Sequence, residues 1–209
     1  MNTRDVMDIS PVVPVVVIER LEDAVPLAEA LHNGGIDIIE LTLRSEVALA
    51  AITAIAAEVP DVVIGAGTIL SRQDAEKSID AGARFLVSPG APTDLLDVAH
   101  EWAVPWLPGV STATEAMNLA NAGYTELKFF PAEYSGGARA LGALAGPLPH
   151  LTFCPTGGIS PNNASDYLRL PNVACVGGSW LTPRKVLQDK DWASLTVLAR
   201  AATGLRATV

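Results

Sequence analysis

Short apolar segments alternate with longer amphipathic segments along the chain, and this cycle repeats eight times. The short segments are rich in β-branched residues and almost continuously apolar, which is typical of strands buried on both faces of a parallel sheet. The predicted strands span residues 12–18, 37–43, 62–68, 85–88, 105–108, 126–130, 151–155 and 173–177.

The longer segments have helical spacing and recognisable ends. In the first of them, Ala24, Leu27, Ala28 and Leu31 follow the i, i+3, i+4, i+7 pattern, and Gly34 ends the helix. Hydroxyl residues stand at the starts of the later segments, where their oxygens can accept a hydrogen bond from a backbone N–H of the first turn. The predicted helix starts are Ser45, Ser71, Thr93, Thr112, Ser160 and Thr182.

The strict alternation of eight strand and helix units, with no long linker, predicts an α/β fold that closes into a (β/α)8 TIM barrel. We expect a single domain that spans residues 1–209. The alternative is an open, doubly wound sheet, but the G-x-G-x-x-G fingerprint that would support it does not follow the first strand.

Composition narrows the classes of partner. The formal net charge of −9 predicts no basic face for a nucleic acid or a membrane surface, although a few local cations can still hold a small anionic substrate. Cys154 and Cys175 have no paired spacing and the three histidines are far apart, so neither a disulfide nor a metal site is predicted. No secretion signal or membrane-length apolar run is visible, and the cytoplasm is therefore the expected location.

Lys128 is the most unusual residue of the sequence, because it lies within an apolar predicted strand between Leu127 and Phe129. Burial there would penalise the ammonium form, lower the pKa of the side chain and make the free amine available as a nucleophile, as in Schiff-base chemistry. The alternative is that Lys128 points to solvent from an alternating strand.

Other polar residues gather where predicted strands end, as they do in the active sites of barrels. Glu40 lies in an apolar predicted strand. This position predicts that Glu40 either acts as a general base or forms a buried ion pair with Arg44 or Lys128. Arg44 follows the same strand and could hold a carboxylate, although a surface salt bridge is its usual role. Thr68 follows the third strand.

Two glycine pairs follow the last two predicted strands. Gly157 with Gly158, and Gly177 with Gly178, each precede a predicted helix start. Backbone N–H groups at such positions can surround a phosphate, whereas a single pair would indicate only a tight turn. The two pairs together favour a phosphate-binding site.

With these residues noted, the sequence resembles the bacterial 2-keto-3-deoxy-6-phosphogluconate (KDPG) and 4-hydroxy-2-oxoglutarate (KHG) aldolases. The similar stretches follow the family's order over nearly the whole chain. They are PVVPV at 11–15, ELTLR at 40–44, GAGT at 65–68, SPG at 88–90, LPG at 107–109, KFFPA at 128–132, FCPTGGIS at 153–160 and GGSW at 177–180.

The resemblance implies a class I aldolase, a carbon–carbon lyase with a (β/α)8 barrel that forms a homotrimer and needs no cofactor or metal. Lys128 would be the Schiff-base lysine and Glu40 the proton shuttle. The remaining implied roles are pyruvate binding by Arg44, Thr68, Pro89 and Phe130, contact with a substrate hydroxyl by Thr156, and phosphate binding by Gly157, Gly158, Gly178 and Ser179. One departure is a short stretch before the first strand, which argues against a helix that closes the bottom of the barrel.

The implied reaction is the reversible cleavage of KDPG to pyruvate and glyceraldehyde 3-phosphate, within the Entner–Doudoroff pathway, with KHG as a further substrate. The alternatives are an aldolase for the galactonate epimer, a non-catalytic barrel that binds a sugar phosphate, and a sugar-phosphate isomerase or epimerase. A buried lysine beside a glutamate favours the aldolase, because the other two kinds of barrel have no need of an imine.

Overall fold

Eight parallel strands form the framework of the computed structural model, which describes residues 1–205. The fifth strand is divided into two segments by Pro108. The strands are β1 (Val12–Val16), β2 (Ile38–Thr42), β3 (Val63–Gly67), β4 (Leu86–Val87), β5 (Trp106–Leu107 and Gly109–Val110), β6 (Glu126–Phe129), β7 (Thr152–Pro155) and β8 (Val176–Gly178).

The strands close into a ring. One sheet runs from the first segment of β5 through β4, β3, β2 and β1 to β8, and the other joins the second segment of β5 to β6 and β7. The ring closes where Thr156, just after β7, pairs with Gly177 of β8. The predicted (β/α)8 barrel is confirmed, and all eight predicted strands are present with boundaries that differ by a few residues.

Helices follow the strands and cover the outside of the barrel. Their apolar faces contribute much of the core, as in the second helix, where Ala24, Leu27, Ala28 and Leu31 are completely buried. The helices are α1 (Thr3–Asp8), α2 (Ala24–Asn33), α3 (Ala48–Glu58), α4 (Arg72–Asp80), α5 (Thr93–Leu96), α6 (Ala113–Asn121), α7 (Gly137–Ala143), α8 (Ala164–Leu168), α9 (Arg184–Gln188) and α10 (Trp192–Thr203).

Two of the predicted caps are confirmed. The Ser71 hydroxyl accepts a hydrogen bond from the Asp74 N–H at the start of α4. At the start of α6, Thr112 and Glu115 form a capping box, in which each side chain accepts a bond from the backbone N–H of the other residue. Thr93 is the first residue of α5.

Three of the predicted helix starts are wrong. The carbonyl oxygen of Ser45 accepts a bond from the Ala48 N–H, and α3 begins only at Ala48. Ser160 donates its N–H to the Asn163 side chain, which closes a turn and delays α8 to Ala164. Thr182 is also outside its helix, because the following Pro183 has extended backbone angles and α9 begins after it.

A short helix precedes the barrel, contrary to the expectation from the short amino-terminal stretch. Helix α1 begins at a capping box made by Asn2 and Asp5, which satisfies two backbone N–H groups at its start. Val6 and Met7 are buried, and the Thr3 hydroxyl donates to the carbonyl oxygen of Trp106, the first residue of β5. Helix α1 therefore covers the amino-terminal end of the barrel, opposite to the end where the predicted site residues lie.

Candidate active site

Lys128 and Glu40 meet inside the barrel. Lys128 lies on β6 and Glu40 on β2, which face each other across the ring. The Lys128 Nζ atom is 3.1 Å from Glu40 Oε1, and the two residues are only 6% and 3% exposed. The alternative in which Lys128 points to solvent is wrong, and the ion-pair partner of Glu40 is Lys128 and not Arg44.

A glycine makes room for this pair. Gly67 is the last residue of β3, and a Cβ atom there would come within 2.3 Å of Glu40 Oε1 and 2.7 Å of Glu40 Cγ. Such distances are too short for any side chain, so only glycine allows Glu40 to lie in its observed position. The centroid of the Phe130 ring lies 5.4 Å from Lys128 Nζ, where the face of the ring can stabilise a cation.

Arg44 and Thr68 come together at the carboxyl ends of β2 and β3. The Arg44 Nε atom donates a hydrogen bond of 3.3 Å to the Thr68 hydroxyl. Arg44 is exposed, and Thr68 has a φ of 63°, which is unusual for a residue with a branched side chain. The guanidinium therefore lies at the mouth of the barrel with N–H groups that can still reach a ligand.

Pro89 lies at the end of β4, partly exposed. Its position depends on Gly109 of β5, where a Cβ atom would come within 2.3 Å of the Pro89 carbonyl group. The residue before it, Ser88, is buried and accepts a hydrogen bond from the Trp106 indole N–H. Pro89 is thus held close to β5 at the mouth of the barrel.

Thr156 and the glycine pairs lie at the carboxyl ends of β7 and β8. Lys128 is in register with Cys154 on the neighbouring strand, and Thr156 follows two residues nearer the mouth on the same face. A Cβ atom at Gly177 would come within 2.2 Å of Thr156 Oγ1, so the hydroxyl lies directly against that glycine. Gly157 and Gly158 both have positive φ angles, which explains their residue type.

Gly178 packs against an aromatic ring, and Ser179 is exposed beside a cavity. A Cβ atom at Gly178 would come within 1.9 Å of the Trp180 ring. The cavity, of about 340 Å³, lies at the end of β1 and extends outward over α2 and α9. The polar residues that line it include Ser179, Thr182 and Arg184, and the apolar ones include Val15, which is in register with Glu40.

The three histidines lie apart from one another, each partly or fully exposed. His32 contacts Asp37 through Nδ1 at 2.6 Å, and His100 and His150 are exposed. Within residues 1–205, no three His, Cys, Asp or Glu side chains gather as metal ligands would. No helix in this same part of the chain is long and apolar enough to cross a bilayer.

Comparison with known proteins places this arrangement in a family. The family model for KDPG and KHG aldolases matches residues 3–198, which is nearly the whole chain. The chain belongs to the KDPG and KHG aldolase family. The resemblance carried by the sequence motifs is thereby confirmed.

Three relatives show how close the match to the family is. The KHG/KDPG aldolase of Escherichia coli K12 is 49% identical over 201 residues, which cover 96% of this chain and 94% of that protein. A KDPG aldolase structure from Legionella pneumophila, with pyruvate captured as a covalent carbinolamine intermediate, has a TM-score of 0.95 at 44% identity and covers 97% and 98% of the two chains. The KDPG aldolase of Zymomonas mobilis ZM4 with 3-phosphoglycerate has a TM-score of 0.92, also at 44% identity, covering 97% and 96%.

Some residues that shape the site of this aldolase-family member were not predicted as such. Gly67 lies within the GAGT stretch, but its contact with Glu40 depends on a residue of another strand. A glycine inside a strand often marks a close approach, and this was the available signal. Glu133 and Tyr167 contact each other beside Gly158, although nothing in their sequence spacing indicates it.

Proposed function

We propose that the protein cleaves KDPG reversibly to pyruvate and glyceraldehyde 3-phosphate, with Lys128 as the Schiff-base nucleophile. The observation that carries this proposal is the buried contact of 3.1 Å between Lys128 Nζ and Glu40 Oε1. An amine and a carboxylate at that distance can exchange a proton directly, without a water between them. The Legionella relative, which holds pyruvate as a covalent carbinolamine, supports this chemistry.

The first half of the reaction forms the imine. Glu40 takes a proton from the Lys128 ammonium, and the free amine attacks the C2 ketone of the substrate to give a carbinolamine. Glu40 then returns the proton to the C2 hydroxyl, which leaves as water, so that a protonated imine joins Lys128 to C2. The positive charge of this iminium lies near the face of the Phe130 ring, which can stabilise it.

The second half breaks the C3–C4 bond. A base, for which Glu40 is the candidate, removes the C4 hydroxyl proton while the bonding electrons move toward the iminium nitrogen. The C4 fragment leaves as glyceraldehyde 3-phosphate, and an enamine of pyruvate remains on Lys128. Protonation at C3 and hydrolysis of the imine then release pyruvate and restore the amine.

Arg44 and Thr68 are proposed to bind the carboxylate at the pyruvate end. Their hydrogen bond of 3.3 Å presents a guanidinium and a hydroxyl together at the barrel mouth. A guanidinium binds a carboxylate with two parallel hydrogen bonds, which fixes its orientation as well as its position. Pro89 and Phe130 are proposed to line the same half of the pocket.

The phosphate is proposed to bind at the other side of the mouth, at Gly157, Gly158, Gly178 and Ser179. The positive φ angles of the first two residues and the cavity beside Ser179 support this position. The 3-phosphoglycerate in the Zymomonas relative supports a ligand of this charge and size. Binding both ends holds the C3–C4 bond over the lysine and can lower the activation barrier by several kcal/mol.

KHG is a second candidate substrate, because the Escherichia coli relative bears both names. Its cleavage would yield pyruvate and glyoxylate at the same pyruvate half-site, without a phosphate. At the other half-site, the buried hydroxyl of Thr156 favours the gluconate over the galactonate epimer, since the hydroxyl can bond a substrate hydroxyl there.

We further propose a cytoplasmic homotrimer, within the Entner–Doudoroff pathway. Large apolar side chains are exposed at Leu70, Met117 and Val197, and subunit contacts would bury such side chains. Residues 1–209 are proposed to act as one domain, of which 206–209 lie outside the described residues. Light scattering of the purified protein measures the mass of the assembly and tests the trimer directly.

Borohydride reduction in the presence of pyruvate, followed by mass spectrometry, tests the nucleophile. We expect an adduct on Lys128 in the natural protein and none in Lys128→Ala, whereas Lys185→Ala, which removes an exposed lysine, should still form it. An adduct at another residue in Lys128→Ala would refute the assignment. The same measurement separates this chemistry from a binding-only barrel or an isomerase, neither of which forms an imine.

Glu40→Gln separates a proton shuttle from a purely structural ion pair. A shuttle predicts that turnover falls by about 100-fold or more while the affinity for pyruvate is largely kept. A structural pair predicts equal losses in both, because Lys128 would then lose its position. Single-turnover cleavage measures turnover, and the dependence of borohydride trapping on pyruvate concentration measures the affinity for pyruvate.

A further inference from the structure

Tyr167 and Glu133 form a pair outside the proposed reaction centre. The Tyr167 ring on α8 is completely buried, and its hydroxyl donates a hydrogen bond to Oε1 of Glu133, an exposed residue in the segment between β6 and α7. Burial raises the pKa of Tyr167, and the bond to Glu133 raises it further. The phenol therefore stays protonated at neutral pH and remains a donor.

Glu133 packs directly against the glycine loop, defined as Thr156, Gly157 and Gly158. A Cβ atom at Gly158 would come within 2.6 Å of Glu133 Cγ, so this glycine is shaped to accept the Glu133 side chain. The Glu133 backbone N–H donates to the Gly157 carbonyl oxygen at 3.1 Å. One residue thus fixes two successive residues of the loop.

Each of the three carbonyl oxygens of the glycine loop accepts a hydrogen bond. The Thr156 carbonyl accepts from the Ala132 N–H at 2.8 Å, and the Gly158 carbonyl accepts from Asn163 Nδ2 at 3.1 Å. In a trans peptide the C=O and the following N–H point in opposite directions. The N–H groups that follow these carbonyls therefore turn away from Glu133 and Asn163, as an anion-binding loop requires.

The Glu133 carboxylate could interfere with phosphate binding at the glycine loop. A free carboxylate beside the loop could bond the same N–H groups that would bind a phosphate, and its charge would repel a dianion. The Tyr167 hydroxyl holds this carboxylate in place toward α8. The bond therefore serves both to shape the loop and to keep a competing anion away from it.

We propose that the Glu133 and Tyr167 pair positions the glycine loop and thereby sets the preference for a phosphorylated over an unphosphorylated substrate. This inference rests on the proposed function, since it concerns the phosphate end of the same site. Both are positioning residues that act through the loop, and neither is assigned a contact with the reacting atoms. The carboxylate end of the pyruvate half-site, at Arg44 and Thr68, is built on β2 and β3 and makes no contact with the pair.

Tyr167→Phe is the decisive variant, because it keeps the buried ring and removes only the hydroxyl. We expect KM for KDPG to rise about fivefold or more, with KM for KHG and the rate of borohydride trapping with pyruvate changed by less than about twofold. Tyr124→Phe is the matched control, since it removes a partly buried phenol hydroxyl that lies beside Trp106, and it should change neither KM.

Variants of Glu133 distinguish positioning from general packing. Glu133→Gln keeps an acceptor for the Tyr167 hydroxyl and should retain most of the preference for KDPG, whereas Glu133→Ala should lose it as Tyr167→Phe does. Because the Glu133 side chain is exposed, these variants also provide the test if Tyr167→Phe fails to fold.

Three outcomes would overturn the inference. Equal losses for KDPG and KHG would indicate a structural role only, and unchanged KM values for both substrates would show that the pair does not influence the phosphate end. If the natural protein formed no adduct with pyruvate and cleaved neither substrate, the proposed function would fail and this inference with it. An active natural protein whose preference survives all the variants would refute only the role of the pair.

Discussion

A single glycine determines where the Glu40 carboxylate can lie. Gly67 ends β3, and Glu40 occupies the space that a side chain at position 67 would need. The carboxylate must reach Lys128 from β2 across the width of the barrel, so a small shift would lengthen the 3.1 Å contact. The observed position of Glu40 therefore requires a residue without a Cβ atom at position 67.

Gly67→Ala should therefore lower turnover sharply without removing any proposed catalytic group. The added Cβ would displace Glu40, and a misplacement of about 1 Å can reduce a rate by about 100-fold. We expect a loss of this size in kcat for KDPG cleavage, measured alongside thermal unfolding. Gly146→Ala is the matched control, because a Cβ there meets no atom within 4 Å, and it should keep its activity. If Gly67→Ala were folded and fully active, turnover would not depend on the position of Glu40.

The contact between Lys128 and Glu40 could be anticipated from sequence, but its geometry could not. Each residue carries a charged side chain within an apolar strand. Because a buried charge without a partner is costly, two opposite charges in one core are expected to pair. The place of Gly67 and the bond from Tyr167 to Glu133 depend instead on how separate strands and helices pack. Such contacts leave no regular spacing in a sequence.

At the scale of elements, local chemistry explains which helix starts were predictable. Ser71 and Thr112 cap their helices because their hydroxyls meet an N–H only three residues away. Ser45 and Ser160 have the same chemistry, but backbone or Asn163 bonds close a turn first and move the helix start onward. The apolar segments of the sequence were enough to predict that the strands exist. Where each strand ends depends instead on the hydrogen bonds it makes with neighbouring strands.

The capping box of α6 predicts a measurable pH dependence. The Oε2 atom of Glu115 accepts bonds from the N–H and hydroxyl groups of both Ser111 and Thr112. Burial acts to raise the pKa of Glu115, but these hydrogen bonds outweigh it and leave the pKa below its ordinary value. Because the folded pKa lies below the unfolded one, the stabilisation is present above about pH 4.3 and is lost as the pH falls through the folded value.

Glu115→Ala should reduce the free energy of unfolding by about 1 kcal/mol at neutral pH, the usual size of a lost cap. The difference from the natural protein should shrink in acid, where Glu115 is protonated in both states. Urea unfolding at several pH values measures this difference. Glu76→Ala, which removes only an exposed partner of Arg72 on α4, should have little effect at any pH. A Glu115→Ala loss that stays constant into acid would contradict the argument.

At the scale of the whole molecule, the protein and its proposed substrate both carry a negative charge. A chain with a formal charge of −9 repels a phosphorylated keto acid at long range, so local cations must offset this repulsion at the mouth. Two arginines line the cavity beside Ser179. Arg20 is engaged by Asp23 at 2.8 Å, whereas Arg184 lies 3.6 Å from Glu19 and is 78% exposed, so Arg184 is the freer of the two to meet an anion.

Arg184→Gln should raise KM for KDPG by about fivefold at low ionic strength, and the effect should decrease as salt screens the charge. Lys185→Gln removes the same charge from the next residue, whose partner is Asp189 just after the same helix, and should change KM much less. Steady-state kinetics over a range of salt concentrations compares the two variants. Equal effects would mean that only net charge matters and that the cavity has no special role.

The covering of the amino-terminal end by α1 has a consequence for the order of events. Because Val6 and Met7 are buried at the amino-terminal end of the ring, the opposite end, where the proposed site residues lie, is the proposed route for substrate, products and hydrolytic water. In the proposed mechanism the aldehyde fragment is not bonded to the protein, while the pyruvate fragment stays attached to Lys128 until water hydrolyses the imine. We therefore expect the aldehyde to leave first, and its departure to open the same end of the barrel to the water that releases pyruvate.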